Sequence, residues 1–284
     1  MKIPFTKMHG LGNNYIYIDL FQTELPENRL SELAINMSNQ NTGIGSDGMI
    51  LIHPAEKADV GMRIFNKDGS EGMNCGNGLR CTAKYAYETG IVDKKEFTIQ
   101  TKANIVRATV KENDEQKVNE VTIDMGAPIL QREQIPMLGE AGTTVINEPF
   151  EVADKTLHVT AVSMGNPHVI TMVDAIDDAP LTTLGPVIEK DERFPEGVNT
   201  EFIEVVSDEE IHFRVWERGS GVTEACGTGA CAAVVAATLN KKVTKGKKIV
   251  VHLAGGDLII EWRKDDHIWM TGGAETIATG IFYA

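Results

Sequence analysis

Two cysteines carry the first chemical signal. Cys75-Gly76-Asn77-Gly78 and Cys226-Gly227-Thr228-Gly229 each lead into a helical pattern. The start of a helix has backbone N–H groups without intrahelical partners and a partial positive charge. Glycine lets that backbone come close to a bound anion. A thiol at such a point is expected to ionise below its usual pKa of about 8.5. Cys81 and Cys231 lie within the helices and read as core packing.

The two motifs belong to an internal repeat. A gap-free shift of 151 residues lays Arg63-Ile64-Phe65-Asn66-Lys67 on Arg214-Val215-Trp216-Glu217-Arg218 and Cys75 on Cys226. Gly12-Asn13 resembles Gly165-Asn166, and Asp124-Met125-Gly126 resembles Met270-Thr271-Gly272. The division is therefore expected after residue 128. Residues 1–128 form one domain, 129–272 the second, and 273–284 cross back to the first.

Two similar units commonly pack about an approximate two-fold axis, which would set both thiols across one cleft. A carbon between a thiolate and a thiol can lose a proton on one side and gain one on the other, which inverts a stereocentre. Such a pair must hold its two pKa values apart or share a proton. The N–H groups of Gly76, Asn77, Gly227 and Thr228 would receive a carboxylate whose charge grows as an α-carbanion forms, an oxyanion-type stabilisation.

The elements that must position these residues are mostly strands. Short β-branched runs bounded by Gly, Asn, Asp or Lys recur, among them 15–18, 49–52, 97–100, 105–110 and 121–123 in the first half. The second half has 159–162, 202–206, 213–216, 249–252 and 258–261. Helical patterns cover 30–37, 78–89 and 229–239. The last is apolar on every side and reads as buried all round. Gly90 and Asn240 are expected as left-handed caps. Many strands and few helices predict an α+β fold: two pseudo-symmetric domains, each a mostly antiparallel, barrel-like unit around a central apolar helix.

Composition bounds the remaining choices. The chain has 284 residues, 42% hydrophobic and 24% charged, enough to bury two cores. Its net charge of −14 (27 basic against 41 acidic) disfavours nucleic-acid and anionic-membrane partners. Neither a targeting segment nor a spanning helix is read, and four cysteines suggest free thiols in a reducing cytoplasm.

The stretches KMHGLGNNY, RIFNKDGSEGMNCGNGLRC, GNPH, GVNTEF and ERGSGVTEACGTGAC resemble diaminopimelate epimerases, from the first residues to the last strands. The resemblance implies a cofactor-independent enzyme that interconverts LL- and meso-2,6-diaminopimelate for lysine and peptidoglycan precursors, as a cytoplasmic homodimer. It places the acid/base pair at Cys75 and Cys226, and the residues that tune them at His168 and Glu217. Gly76, Asn77, Gly227 and Thr228 match the loops around the reacting carboxylate. Asn13, Asn66, Asn166, Asn199, Glu217 and Arg218 match the substrate-binding positions. No cofactor and no metal are implied. Many relatives have Asp at Asn14 and Phe at Tyr15, and some have Gln near Gly48, so Gly48 is left out of the site.

Three other readings compete. Proline racemase and hydroxyproline epimerase share the paired thiols but need no distal zwitterion site, which Arg218, Glu217 and the asparagines would supply. A thiol redox or metal module is disfavoured by the C-x5-C and C-x4-C spacings. Gly43 to Gly48 fits G-x-G-x-x-G, but a strand-like run follows it, where a dinucleotide site needs a helix.

Overall fold

The β-branched runs form strands: residues 105–110, 213–216 and 249–252 alternate buried and open positions, whereas 15–18, 49–52 and 159–162 are buried throughout. The computed structural model describes residues 1–73 and 75–284. The chain divides into two units, Met1–Asp124 with Thr271–Ala284, and Met125–Met270.

The first unit runs β1 (Lys2–Gly10), β2 (Asn13–Asp19), α1 (Leu30–Ser38), β3 (Gly48–His53), β4 (Val60–Asn66), β5 (Glu71–Gly72), α2 (Gly76–Glu88), β6 (Glu96–Gln100), β7 (Ile105–Glu112) and β8 (Val118–Asp124). The second runs β9 (Glu148–Val152), β10 (Lys155–Ser163), β11 (Pro167–Met172), α3 (Leu181–Glu189), β12 (Asn199–Ser207), β13 (Glu210–Glu217), β14 (Gly221–Val222), α4 (Gly227–Leu239), β15 (Lys248–Leu253), β16 (Gly256–Trp262) and β17 (Ile268–Gly272). The last strand, β18 (Glu275–Tyr283), pairs antiparallel with β1.

The pairing series is the same in both units. In the first, β1–β2 is antiparallel, β2–β3 parallel, β3–β4 antiparallel, β4–β6 parallel and β6–β7 antiparallel. In the second, β10–β11, β11–β12, β12–β13, β13–β15 and β15–β16 follow the same order. Each parallel step needs a crossover. The helices α1 and α3 make the first crossover of each unit, and α2 and α4 the second. The fold is α+β, with two mostly antiparallel units.

Several local expectations are corrected. α2 is not an apolar helix: it buries Arg80 completely and Lys84 almost so. Both cations are paired, Arg80 with Asn77 Oδ1 (2.8 Å) and the Gly273 carbonyl (3.1 Å), Lys84 with Glu88 (2.7 Å) and the Val118 carbonyl (2.6 Å). Such partners make buried charge tolerable. α4 is buried from Ala230 to Ala237. Both long helices begin two residues before the expected 78 and 229. Gly90 is left-handed (φ +74°), but Asn240 is not (φ −84°); Lys241 takes that conformation (φ +60°) while Asn240 Nδ2 donates to the Ala236 carbonyl at 2.8 Å. α3 was not expected, because Gly185 and Pro186 interrupt its pattern. It forms because Leu184 and Ile188, one turn apart, are buried in the second core. A Cβ on Gly185 would stand 2.7 Å from Trp216 Cβ, so glycine lets α3 lie against β13. The glycines at 43–48 lead into β3, not into a helix.

Candidate active site

Cys75 is the N-cap of α2 and Cys226 the N-cap of α4, both in extended backbone. Each sulfur accepts from the N–H three residues on, Gly78 or Gly229, at 3.4 Å. A sulfur here does what a Ser or Asp oxygen does at an ordinary N-cap. Gly76 and Asn77 open α2, and Gly227 and Thr228 open α4, so all four lie beside their cysteine.

In the first unit a two-residue turn, Leu11-Gly12 with both φ positive, joins β1 to β2 and delivers Asn13. Asn13 Oδ1 lies 3.7 Å from Cys75 Sγ, which donates to it, and accepts from Asn77 Nδ2 at 3.2 Å. Asp47 fixes Asn13 from behind, accepting from its Nδ2 at 2.9 Å and from the Asn14 backbone at 2.8 Å. The buried Tyr15 hydroxyl lies beside Cys75 and favours its thiolate. A Cβ on Gly48 would stand 2.2 Å from the Phe65 carbonyl oxygen and 2.9 Å from the edge of the Tyr15 ring, so the close approach of backbone here admits only glycine. Asn66 ends β4 opposite Gly48 and donates to Ser70 Oγ at 3.0 Å.

In the second unit the loop Met164-Gly165-Asn166 joins β10 to β11, and His168 follows on β11, wholly buried. Its Nδ1 lies 2.6 Å from Glu201 Oε1 and its Nε2 3.1 Å from Asn166 Oδ1. The imidazole is thus held between the Glu201 carboxyl and the Asn166 side chain. Asn199, opposite His168 in the parallel register, accepts from the Arg218 N–H at 2.9 Å and donates to the Pro167 carbonyl at 3.0 Å. The exposed Arg218 guanidinium donates to the Glu196 carbonyl at 2.8 Å. Glu217 accepts from the Thr223 hydroxyl, and Thr228 Oγ1 lies 3.5 Å from Cys226 Sγ.

The electrostatics overturn one expectation. Neither thiol is brought below its ordinary pKa. Burial pushes Cys75 up, although the Gly78 N–H, the Tyr15 hydroxyl and the Arg80 charge pull against it. Burial pushes Cys226 well up, and the carboxylates of Glu217 and Glu201 push the same way. Burial also raises Glu201, against the pull of His168. At these two N-caps the cost of desolvating a thiolate exceeds the help of the helix end.

Sequence reasoning missed Glu201, Arg80, Asp47 and the role of the Tyr15 hydroxyl. Glu201 is wholly buried within a strand, and its Oε2 has no hydrogen-bond partner among the described residues. A carboxylate between a β-branched and an aromatic residue in Thr-Glu-Phe was the available signal, since such a residue is rarely buried without a task.

The family model described as diaminopimelate epimerase matches residues 5–131 and 160–277. The chain belongs to the diaminopimelate epimerase family. It is 71% identical to the diaminopimelate epimerase of Oceanobacillus iheyensis over 283 residues, covering 100% of this chain and 99% of the relative. It is 58% identical to that of Bacillus subtilis over 280 residues, covering 98% of each. Among solved structures it is similar to a PhzF-family phenazine biosynthesis protein of Bacillus anthracis, with TM-score 0.72 at 18% identity and full coverage of both chains. It is also similar to a probable proline racemase of Agrobacterium radiobacter, with TM-score 0.71 at 16% identity, covering 99% of this chain and 93% of the other. At such identities the structural likeness shows the fold alone. The diaminopimelate epimerase family fold thus carries both thiols as N-caps of equivalent helices.

Proposed function

We propose that this chain interconverts LL- and meso-2,6-diaminopimelate without a cofactor, using Cys75 and Cys226 as the paired acid and base. The full-length match to the diaminopimelate epimerase family supports this, because it spans both cysteine motifs. Inversion requires a proton to leave one face of the α-carbon and another to arrive on the opposite face. One thiolate and one thiol must therefore serve the same carbon.

The surroundings divide the labour. Cys75 has the Arg80 cation and nearby N–H and O–H groups that favour its thiolate, whereas Cys226 stands near two carboxylates that disfavour one. Cys75 thiolate removes the α-proton of one isomer and becomes a thiol, and Cys226 thiol gives up its proton and becomes a thiolate. The electron pair of the broken C–H bond rests on the α-carbon and its carboxylate until the new C–H bond forms. The helix ends at Gly76 and Gly227 receive that growing charge. The reverse isomer uses the opposite roles, and exchange with solvent resets the pair.

Asn13, Asn66, Asn166, Asn199, Glu217 and Arg218 bind the substrate. Amide oxygens and the Glu217 carboxylate suit the distal ammonium, and the Arg218 guanidinium suits the distal carboxylate. His168 and Glu217 set the protonation of Cys226, and Glu201 holds His168.

No described helix is long and apolar enough to cross a membrane. A cytoplasmic homodimer is part of the proposal. Ile277, Ile281 and Tyr283 alternate along β18 and are exposed, which supplies apolar surface for a second copy.

The test is a stereochemical assay of LL-diaminopimelate, proline and hydroxyproline with reduced protein and no additive. Conversion of diaminopimelate alone is expected. Conversion of proline or hydroxyproline in its place would transfer the chain to the alternative class.

A further inference from the structure

A second polar cluster lies in the second unit, away from the residues proposed to act on substrate. Glu210, His212 and His252 each place a donor atom within 4.8 Å of the other two. They come from β13 and β15, a parallel pair in which His212 stands opposite His252. The two imidazoles meet edge to face, with centroids 5.3 Å apart. Each ring is oriented by a carboxylate on Nδ1: Glu204 Oε2 at 3.2 Å from His212, and Asp257 Oδ1 at 2.7 Å from His252. Nε2 of His252 faces Glu210 Oε1 at 2.9 Å. A carboxylate on Nδ1 orients each ring, the arrangement found behind metal-binding histidines, and a metal at Nε2 of His252 would displace the proton that faces Glu210 there. Three carboxylates, Glu204, Glu210 and Asp257, surround the two rings, which favours a cation.

We propose that Glu210, His212 and His252 bind a divalent transition-metal ion, with Zn2+ the best fit, through Nε2 of each histidine and one Glu210 oxygen. Water completes the shell. Zinc bonds of about 2.0–2.1 Å in a tetrahedron put the donor atoms roughly 3.3 Å apart. The donors need only small movements to reach that spacing, and the side chains of His252 and Glu210 are 31% and 43% exposed, so they have room to make them. Two imidazoles suit zinc, cobalt, nickel or copper, whereas calcium and magnesium prefer all-oxygen sites.

The ion would clasp the ends of the crossover from β13 through α4 to β15. The parallel pairing it would reinforce spans only Glu210–His212 against Val250–His252. Its effect is therefore on stability rather than on turnover, and it stands independently of the epimerase proposal.

The active-site thiols would compete for metal, so the full chain is tested with Cys75→Ala and Cys226→Ala. Cobalt(II) titration should give one ion per chain, with d–d absorption and no sulfur-to-metal charge-transfer band. His212→Ala or His252→Gln should weaken binding at least tenfold. Zn2+ at a hundredfold excess over its dissociation constant should raise the native-to-unfolded ratio about a hundredfold and the melting temperature by about 5 °C. Glu210→Gln, which changes a partly exposed charge, carries the test if a histidine variant does not fold. The proposal is overturned if the Cys75→Ala, Cys226→Ala chain binds no cobalt, if a sulfur band appears, or if the further variants bind as that chain does.

Discussion

At the residue scale the two thiols are alike in backbone and unlike in field. Both are N-caps, but Arg80 and Tyr15 oppose the rise of Cys75, whereas Glu217 and Glu201 add to that of Cys226. Tyr15→Phe removes one donor to the Cys75 thiolate. The pH midpoint for alkylation of Cys75 should move up, and kcat/KM at neutral pH should fall roughly tenfold, the worth of one hydrogen bond to a charged group. Glu201→Gln removes a carboxylate near Cys226, so alkylation of Cys226 should shift to lower pH. An unchanged profile in that variant would remove Glu201 from the proton economy of the site. Cys75→Ala and Cys226→Ala should each lower kcat by a factor of at least about 100, as for loss of a general acid or base. The cysteines themselves were legible because their motif occurs twice. Glu201 and the Tyr15 hydroxyl were not, since each acts across strand pairings that sequence spacing does not display.

At the element scale each long helix must bring its first turn close to a neighbour, and the third residue after each cysteine marks where. Beyond its own cysteine, a Cβ on Gly78 would meet only Ile50 Cδ1, the far end of a side chain, at 2.7 Å. A Cβ on Gly229 would meet Glu201 Oε1 at 2.9 Å, Phe213 Cζ at 3.0 Å and Cys226 Sγ at 3.3 Å. Both glycines are helical, so alanine also gains helix propensity. Gly229→Ala should therefore destabilise by about 1–3 kcal/mol from overpacking and disturb Cys226. Gly78→Ala should be nearly neutral to unfolding in denaturant. Equal losses at both positions would contradict this difference in surroundings. Most strand cores and three helices were readable from periodicity. α3 was not, because two buried side chains override the Gly and Pro within it, and neither was β18, whose residues are mostly exposed and show no buried stripe.

At the scale of the whole molecule, one pairing series is built twice, once around a helix with buried cations and once around a helix of alanine and valine. The repeat was visible at the cysteines, but the parallel steps that bring His212 beside His252 were not, since the partners are 40 residues apart. Buried thiols also bear on stability. Burial lifts Cys81 from 9.0 to about 11, so the native chain keeps a proton that the unfolded chain releases between those values. Its contribution is complete below pH 9 and is lost as pH rises towards 11, on the order of 2–3 kcal/mol. Cys81→Ala should flatten the fall of unfolding free energy over that window. The central claim, that one acid and one base serve a single carbon, is tested most directly by the first turnovers of LL-diaminopimelate in D2O. Deuterium should enter the α-position of the meso product while recovered LL substrate stays unlabelled. Equal early labelling of both isomers would mean that a single base handles both faces, and would contradict the account.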